Sequence, residues 1–187
     1  MEFQELLVKV ASELDKQSIP YMVIGGQAVL LHGEPRFTRD IDITLGIDID
    51  ELKKIQHVIQ KLNLRPLPQN PESFVQETRA LPVIDENTGV RVDFVFTFIP
   101  FERQAIQRSQ KVAVGGYPVA YVSVEDLVIY KITAGRPVDL EDVGVILRKN
   151  KVYDKAYIVS WLKDFGEVLG KPLAETFESV ISNLKIE

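Results

Sequence analysis

The chain has 187 residues, enough for one full hydrophobic core with a smaller second module. Hydrophobic residues make up 45% of it and charged residues 26%, as in an ordinary globular protein. Its net charge of -5 argues against a protein that coats nucleic acid with a broad positive face. The absence of cysteine excludes disulfides and thiolate metal sites. Without a signal-peptide pattern or a membrane-length apolar stretch, the sequence predicts a cytoplasmic protein with no membrane contact.

Apolar spacing predicts the elements in chain order. They are a helix over 2–17, a strand over 21–24, a helix ending at Gly33, a strand over 40–45, a helix reaching Leu62, strands over 81–84 and 90–96, a short helix over 101–109, a hairpin around Gly115 and Gly116, and helices from Ser123 onward. The proline-rich stretch 64–71 reads as an extended edge strand and loop, a candidate substrate-facing rim. The prediction is an α+β (mixed α/β) fold: a mixed sheet with packed helices over 1–122, and a helical C-terminal region over 123–187.

The segment Tyr21–Leu45 concentrates the residues that carry chemistry. The glycines Gly25 and Gly26 stand where the first strand feeds a helix. A helix start leaves backbone N–H groups unpaired, and glycine lets a phosphate approach the backbone closely. We therefore expect a phosphate seat at this turn.

Two carboxylates follow on the next strand. Asp40 and Asp42 are two residues apart, so their side chains point to the same face. Magnesium prefers such hard oxygen ligands together with substrate phosphates, which favours a two-metal transfer site. The alternative is an alternating strand whose aspartates merely face water.

This arrangement resembles the DNA polymerase beta-like nucleotidyltransferase superfamily. The signature is carried by Ile24-Gly25-Gly26, a spacer over 27–39, and Asp40-Ile41-Asp42-Ile43. The expanded segment looks most like the minimal nucleotidyltransferases related to the AbiEii toxins, which have an Arg and a Thr or Ser before the aspartate pair; Arg36 and Thr38 stand there. The resemblance covers about residues 1–150. It implies that Gly25, Gly26, Arg36 and Thr38 bind nucleotide and that Asp40 and Asp42 bind metal.

Asp93 lies inside the apolar run RVDFVFTF, where a carboxylate needs a partner. The resemblance implies that it is the third metal-binding carboxylate and the base that activates the acceptor. The alternative is a salt bridge to Arg91, two residues away on the same face.

The segment SVEDLVIYKITAGRPVDLEDVGVIL is similar to the family's C-terminal motif, matched by Lys131, Arg136, Asp139 and Asp142. The resemblance implies that Lys131 takes part in catalysis as a point charge on the nucleotide phosphates. The alternative is a solvated helix lysine. The roles of the other three stay open.

The function these features predict is metal-dependent transfer of a nucleoside monophosphate from an NTP to an acceptor hydroxyl. Two Mg²⁺ ions are the expected cofactors, with Mn²⁺ as an alternative. Acceptors in related proteins include tRNA ends, protein side chains and small molecules. The expected protein partner is a second copy of the chain in a homodimer or, for a toxin-like role, a cognate antitoxin. The rival is a non-catalytic nucleotide-binding or antitoxin-like interaction protein on the same fold. An RNA-binding module is disfavoured by the acidic charge.

Overall fold

The computed structural model describes residues 2–34, 38 and 40–184. Within these, the chain divides into two compact units. The first unit comprises the residues up to Gln27, Thr38, and the stretch from Asp40 to Val122. The second unit comprises the residues from Ala28 to Glu34 and those from Ser123 onward. The chain therefore enters the second unit briefly, returns to the first, and passes into the second again beyond Val122, where the sequence predicts the start of the helical region.

The described residues form helices and strands in the following order. They are α1 (Glu2–Lys16), β1 (Tyr21–Ile24), α2 (Gly25–His32), β2 (Asp40–Leu45), α3 (Leu52–Lys61), β3 (Arg65–Pro66), α4 (Pro71–Thr78), β4 (Ala80–Asp85), β5 (Val90–Phe96), α5 (Pro100–Gln107), β6 (Gln110–Val114), β7 (Tyr117–Tyr121), α6 (Val124–Ala134), α7 (Pro137–Lys149), α8 (Lys155–Leu169) and α9 (Leu173–Asn183). A 3₁₀ turn over Ile49–Glu51 precedes α3.

The described residues of the first unit form a seven-stranded mixed sheet in the order β3-β4-β5-β2-β1-β7-β6. At its centre β2 runs parallel to β5 and antiparallel to β1. Alternate residues of the central strands are fully buried, among them Ile41, Ile43, Val92 and Phe94. Because successive side chains of a strand point to opposite faces, the residues between them, Asp40 and Asp42 included, share the other face. The sheet thus separates an apolar core face from a face that carries charge.

The second unit is built around α6, which packs against α7, α8 and α9. Its core contains buried apolar side chains from all four helices, including Ile129, Ile146, Leu162 and Phe177. Ser123 caps α6 by accepting a hydrogen bond from the Asp126 backbone N–H, as the sequence predicts for this helix start. The end of α2 belongs to this unit: the Asn150 amide donates to the His32 carbonyl at 2.7 Å, and the Lys149 ammonium to the Gly33 carbonyl at 2.9 Å.

The predicted fold class is confirmed. The prediction for 64–71 was incomplete, because only Arg65–Pro66 forms a strand and a helix, α4, begins at Pro71. Asn70 starts this helix by accepting a hydrogen bond from the Ser73 N–H, and the proline stands in its first turn, where its missing N–H has no cost. None of the helices in the described part of the chain has the length and apolar character that a membrane span needs.

Candidate active site

The register of β2 and β5 sets the carboxylates of the charged face. Asp42 is aligned with Asp93, and Asp40 with Arg91, on neighbouring parallel strands. Aligned residues of neighbouring strands point to the same face of a sheet. Asp40, Asp42 and Asp93 therefore share one face, each of them half-buried.

The turn between β1 and α2 lies directly against Asp42. Ile24 is aligned with Asp42 across the β1–β2 pair, and Gly25 follows it with φ of +62°. A Cβ atom at Gly25 would overlap the Asp42 carboxylate, lying 2.7 Å from Cγ. Only glycine combines this backbone conformation with so close an approach. The Gly26 N–H in turn donates to the Asp42 carboxylate, so the glycine turn holds this side chain.

Thr38 ties the second glycine to the other aspartate. Its hydroxyl donates to Asp40 Oδ1 at 2.8 Å. A Cβ atom at Gly26 would lie only 2.6 Å from the Thr38 hydroxyl oxygen and 2.8 Å from its Cβ. Gly26 is thus small enough to let Thr38 reach Asp40.

The pKa of Asp42 shows how burial and the neighbouring charges act on the site. Burial, together with the smaller effect of the neighbouring charges of Asp40 and Asp93, raises the pKa of the Asp42 carboxyl to about 6. The hydrogen bond from Gly26 and the charge of Arg91 oppose this shift. The site therefore holds more negative charge than its surroundings stabilise.

Asp93 makes the contact that the alternative interpretation expected. The Arg91 Nε–H donates to Asp93 Oδ1 at 2.7 Å, and the side chains are 50% and 19% exposed, respectively. Asp93 forms this ion pair and is at the same time aligned with Asp42 on the neighbouring strand. The ion pair therefore does not remove Asp93 from the site.

Carboxylate oxygens that crowd one another are a donor set that suits magnesium. Burial is the main reason that the pKa of Asp42 is raised, and the charges of Asp40 and Asp93 add to it; a bound cation would favour the charged form of this carboxylate. Across residues 2–34, 38 and 40–184, no three acidic or histidine side chains are drawn together closely enough to form a ready-made metal cage. Convergence of the three aspartates on a shared ion stays a prediction.

Lys131 lies in the second unit, inside a compact charged cluster. Its ammonium donates to Asp139 Oδ1 at 2.7 Å and to Asp142 Oδ2 at 2.8 Å, and all three residues are buried. Burial alone would raise the pKa of Asp139, but hydrogen bonds from Arg136 and Lys131 outweigh it and the pKa is lowered. The residue is therefore not the solvated helix lysine of the alternative interpretation. Its contact with nucleotide stays a prediction.

Of the residues predicted to bind nucleotide, Arg36 lies outside the described residues. The sequence indicated Arg91 only as a salt-bridge partner of Asp93, and the structure places it on the carboxylate face. The signal that marks it is its spacing of two residues from Asp93, which puts a cation on the carboxylate face.

Residues 1–155 match the model of a family described as "Nucleotidyltransferase of unknown function (DUF6036)". The chain belongs to this family. The predicted relationship to the nucleotidyltransferases is thereby confirmed, whereas the AbiEii-like subtype stays a prediction. Among curated proteins, none matches the chain.

Solved structures show the same fold. The crystal structure of ANT(2")-Ia in complex with adenylyl-2"-tobramycin has a TM-score of 0.62 at 16% identity, with coverage of 90% of this chain and 99% of that one. An antigenic nucleotidyltransferase-like protein from Paracoccidioides brasiliensis has a TM-score of 0.56 at 16% identity, covering 94% and 91%. A putative nucleotidyltransferase from Thermotoga maritima has a TM-score of 0.51 at 16% identity, covering 80% and 94%. At these identities the likeness concerns the fold of a nucleotidyltransferase and not its substrates.

Proposed function

We propose that this nucleotidyltransferase moves a nucleoside monophosphate from an NTP to an acceptor hydroxyl, with divalent metal. The observation that supports this most directly is the register that sets Asp42 beside Asp93 while the glycine turn packs against Asp42. The family membership supports the reaction class. The metal, the donor and the acceptor belong to the proposal.

The glycine turn has two tasks in this proposal. It holds Asp42 through the Gly26 N–H, and it begins α2, whose first-turn N–H groups have no partner within the helix. Such a helix start attracts phosphate. Thr38, which fixes Asp40 by a hydrogen bond, supports the carboxylates from the side.

Asp40, Asp42 and Asp93 would hold the magnesium ions. When bound, these ions would neutralise charge on the transferred phosphoryl group. In the reaction, a bond forms between the acceptor oxygen and Pα, the bond from Pα to the bridging oxygen of Pβ breaks, and pyrophosphate leaves. Asp93 orients the acceptor hydroxyl and takes its proton.

Parallel incubations with α-labelled and with γ-labelled NTPs test this proposal. Each of the four NTPs is offered with Mg²⁺, alone and with total RNA, cell extract or an aminoglycoside, the class suggested by the antibiotic in the ANT(2")-Ia structure. The α-label should join an acceptor, whereas the γ-label should leave as pyrophosphate. Transfer of the γ-label would instead mark a kinase and overturn the proposal.

The matched control is Asp42→Asn, which keeps the shape of the side chain and removes its charge. It should abolish transfer while the protein stays folded. Binding of Mg²⁺ and NTP without any transfer, under all acceptor conditions, would favour the rival non-catalytic nucleotide-binding protein.

A further inference from the structure

Arg91 is a cation within a group of three carboxylates. It occupies the fourth corner of a rectangle on the charged face, aligned with Asp40 across the parallel strands and two residues from Asp93, which is aligned with Asp42. Its side chain is 50% exposed, so it is open to a ligand. The four side chains carry a formal charge of -2.

Stability does not explain the ion pair between Arg91 and Asp93. A half-exposed pair of this kind contributes on the order of 0–1 kcal/mol to folding. The contact nevertheless fixes one oxygen of Asp93 at 2.7 Å from the guanidinium Nε. The Asp93 carboxylate is proposed to bind metal and to take the proton from the acceptor hydroxyl. A metal ion that binds to Asp93 therefore competes with Arg91.

The guanidinium also acts beyond its direct partner. The hydrogen bond to Asp93 raises the pKa of Arg91, and the charges of Asp93, Asp40 and Asp42 raise it further. The charge of Arg91 in turn works against the raised pKa of Asp42. Arg91 is thus a counter-ion for the whole carboxylate group.

A guanidinium is suited to a second partner as well. Its planar fork binds phosphate through two parallel hydrogen bonds, and it keeps its charge at any pH relevant to the protein. We propose that Arg91 exchanges partners: it neutralises Asp93 until divalent cation takes over the carboxylates, and it then binds the phosphates of the NTP. This inference rests on the proposed function and adds a phosphate-binding residue to it.

The exchange makes metal binding depend on the nucleotide. A divalent ion alone must displace the guanidinium and leaves that cation without a partner beside the new positive charge. A divalent ion that arrives with a triphosphate supplies the partner. The carboxylates therefore bind metal weakly alone and tightly with the donor.

Arg91→Gln tests this, with Arg65→Gln as the matched control. Arg65 lies on the same face of the sheet as Arg91, because both are aligned with Ile84 of β4 from opposite sides. Like Arg91, it forms an ion pair through Nε with a carboxylate, in this case that of Glu86. The exposed fractions of the two arginine side chains are 54% and 50%. Binding of Mn²⁺ to the protein alone is measured by electron paramagnetic resonance, and binding of inorganic tripolyphosphate with Mg²⁺ by calorimetry.

Arg91→Gln should bind Mn²⁺ roughly tenfold more tightly, because a positive charge beside the carboxylates is lost. It should bind Mg²⁺-tripolyphosphate roughly tenfold more weakly, because a charged hydrogen bond to phosphate is lost. Arg91→Lys keeps the charge, so its Mn²⁺ affinity should stay near that of the parent while part of its tripolyphosphate affinity is lost. Arg65→Gln should change neither.

The opposite shifts separate exchange from a structural role, which would lower both affinities or neither. A parent that binds both probes, with an Arg91→Gln variant that shows no opposite shift, would overturn the exchange alone. A parent that binds Mn²⁺ but no tripolyphosphate would overturn the proposed function and the exchange with it.

Discussion

The carboxyl group of Asp42 links the chemistry of the site to the stability of the protein. Its pKa of about 6 in the folded chain, raised by burial and by Asp40 and Asp93, lies above the value of about 3.9 expected when the chain is unfolded. Between these values the folded protein binds more protons than the unfolded one. The free energy of unfolding therefore falls as the pH rises from about 4 to about 6, and this contribution then stays constant.

Asp42→Asn should remove this penalty. Relative to the parent, the free energy of unfolding of the variant should increase by about 2–3 kcal/mol between pH 4 and pH 7. Urea unfolding in EDTA at several pH values measures it, with the exposed Asp164→Asn in α8 as the control. A difference that stays flat with pH would show that Asp42 ionises as easily in the folded chain as in the unfolded one.

Thr38 was predicted to bind nucleotide, and its contact with Asp40 predicts a different kinetic result. Thr38→Val keeps the shape and removes the hydroxyl that donates to Asp40 at 2.8 Å. Loss of a group that orients a metal ligand costs about 10–100-fold in activity or metal affinity. We expect that loss in kcat and in Mn²⁺ affinity, with Thr38→Ser close to the parent. A rise in KM for NTP alone would instead support direct nucleotide contact.

Gly25, in the turn between β1 and α2, is required for two reasons: its backbone conformation and its close contact with Asp42. A pair of variants can separate these two effects. Gly25 has φ of +62° and no room for a Cβ atom beside Asp42. Gly89, in the β4–β5 turn, has φ of +69° with nothing within 4 Å. Gly89→Ala should cost about 1 kcal/mol for the backbone conformation alone.

Gly25→Ala should cost at least about 3 kcal/mol, because the overlap with Asp42 adds to the backbone strain. Chemical denaturation of both variants measures the difference. Equal losses of stability would mean that Asp42 moves aside freely, and the glycine turn would then not hold the carboxylate.

The connection between α6 and α7 depends on buried charge. Lys131→Met would leave Asp142 without the ammonium 2.8 Å away and Asp139 with Arg136 as its remaining cation. Breaking one side of a buried ion pair costs about 3–5 kcal/mol. We expect a loss in this range, measured by urea unfolding.

Two further variants give this prediction its control. Lys155→Met removes a half-exposed pair with Glu178 and should change the free energy of unfolding by less than about 1 kcal/mol. Combining Lys131→Met with Asp139→Asn and Asp142→Asn should restore a large part of the loss, since the two carboxylates that face the ammonium are then uncharged. A fully stable Lys131→Met would contradict the cluster.

Local sequence signals predicted the elements that carry the candidate site. The alternation of Asp40, Ile41, Asp42 and Ile43 specifies a strand with one buried face, and Gly25 marks the turn before α2. Helix α4 was missed because few of its residues are apolar, although Asn70 before Pro71 was a start signal that could have been used.

Contacts between distant residues were beyond such signals. Nothing periodic relates Lys131 to Asp139 and Asp142, eight and eleven residues further on, because the turn between α6 and α7 sets their distance. In the same way, the alignment of Asp42 with Asp93 depends on which strands are neighbours. The sequence indicated Asp42 and Asp93 as candidate site residues, and the order of the strands in the sheet determines that they are aligned.

The division of the chain into units makes a prediction about fragments. Ala28, Val29 and His32 are buried and belong to the second unit, where the His32 carbonyl accepts from Asn150. A fragment of residues 1–122 lacks those partners and should fold poorly, with dye-binding apolar surface. Adding a fragment of residues 123–187 should reduce this dye binding, because it supplies Asn150 and the rest of the second unit against which residues 28–34 are buried. A well-dispersed NMR spectrum from the first fragment alone would contradict this.

The early placement of Ala28 and Val29 in the second unit has a consequence during synthesis. Lys149 and Asn150, which donate to the Gly33 and His32 carbonyls of the same segment, are translated more than a hundred residues later. At about 5–20 residues per second this is a delay on the order of 5–20 seconds. During that time the end of α2 presents apolar side chains on the nascent chain while β2 is already available to pair with β1. We therefore expect a ribosome-associated chaperone to bind the end of α2 during this interval, and slow codons beyond residue 34 to lengthen the exposure of its apolar side chains.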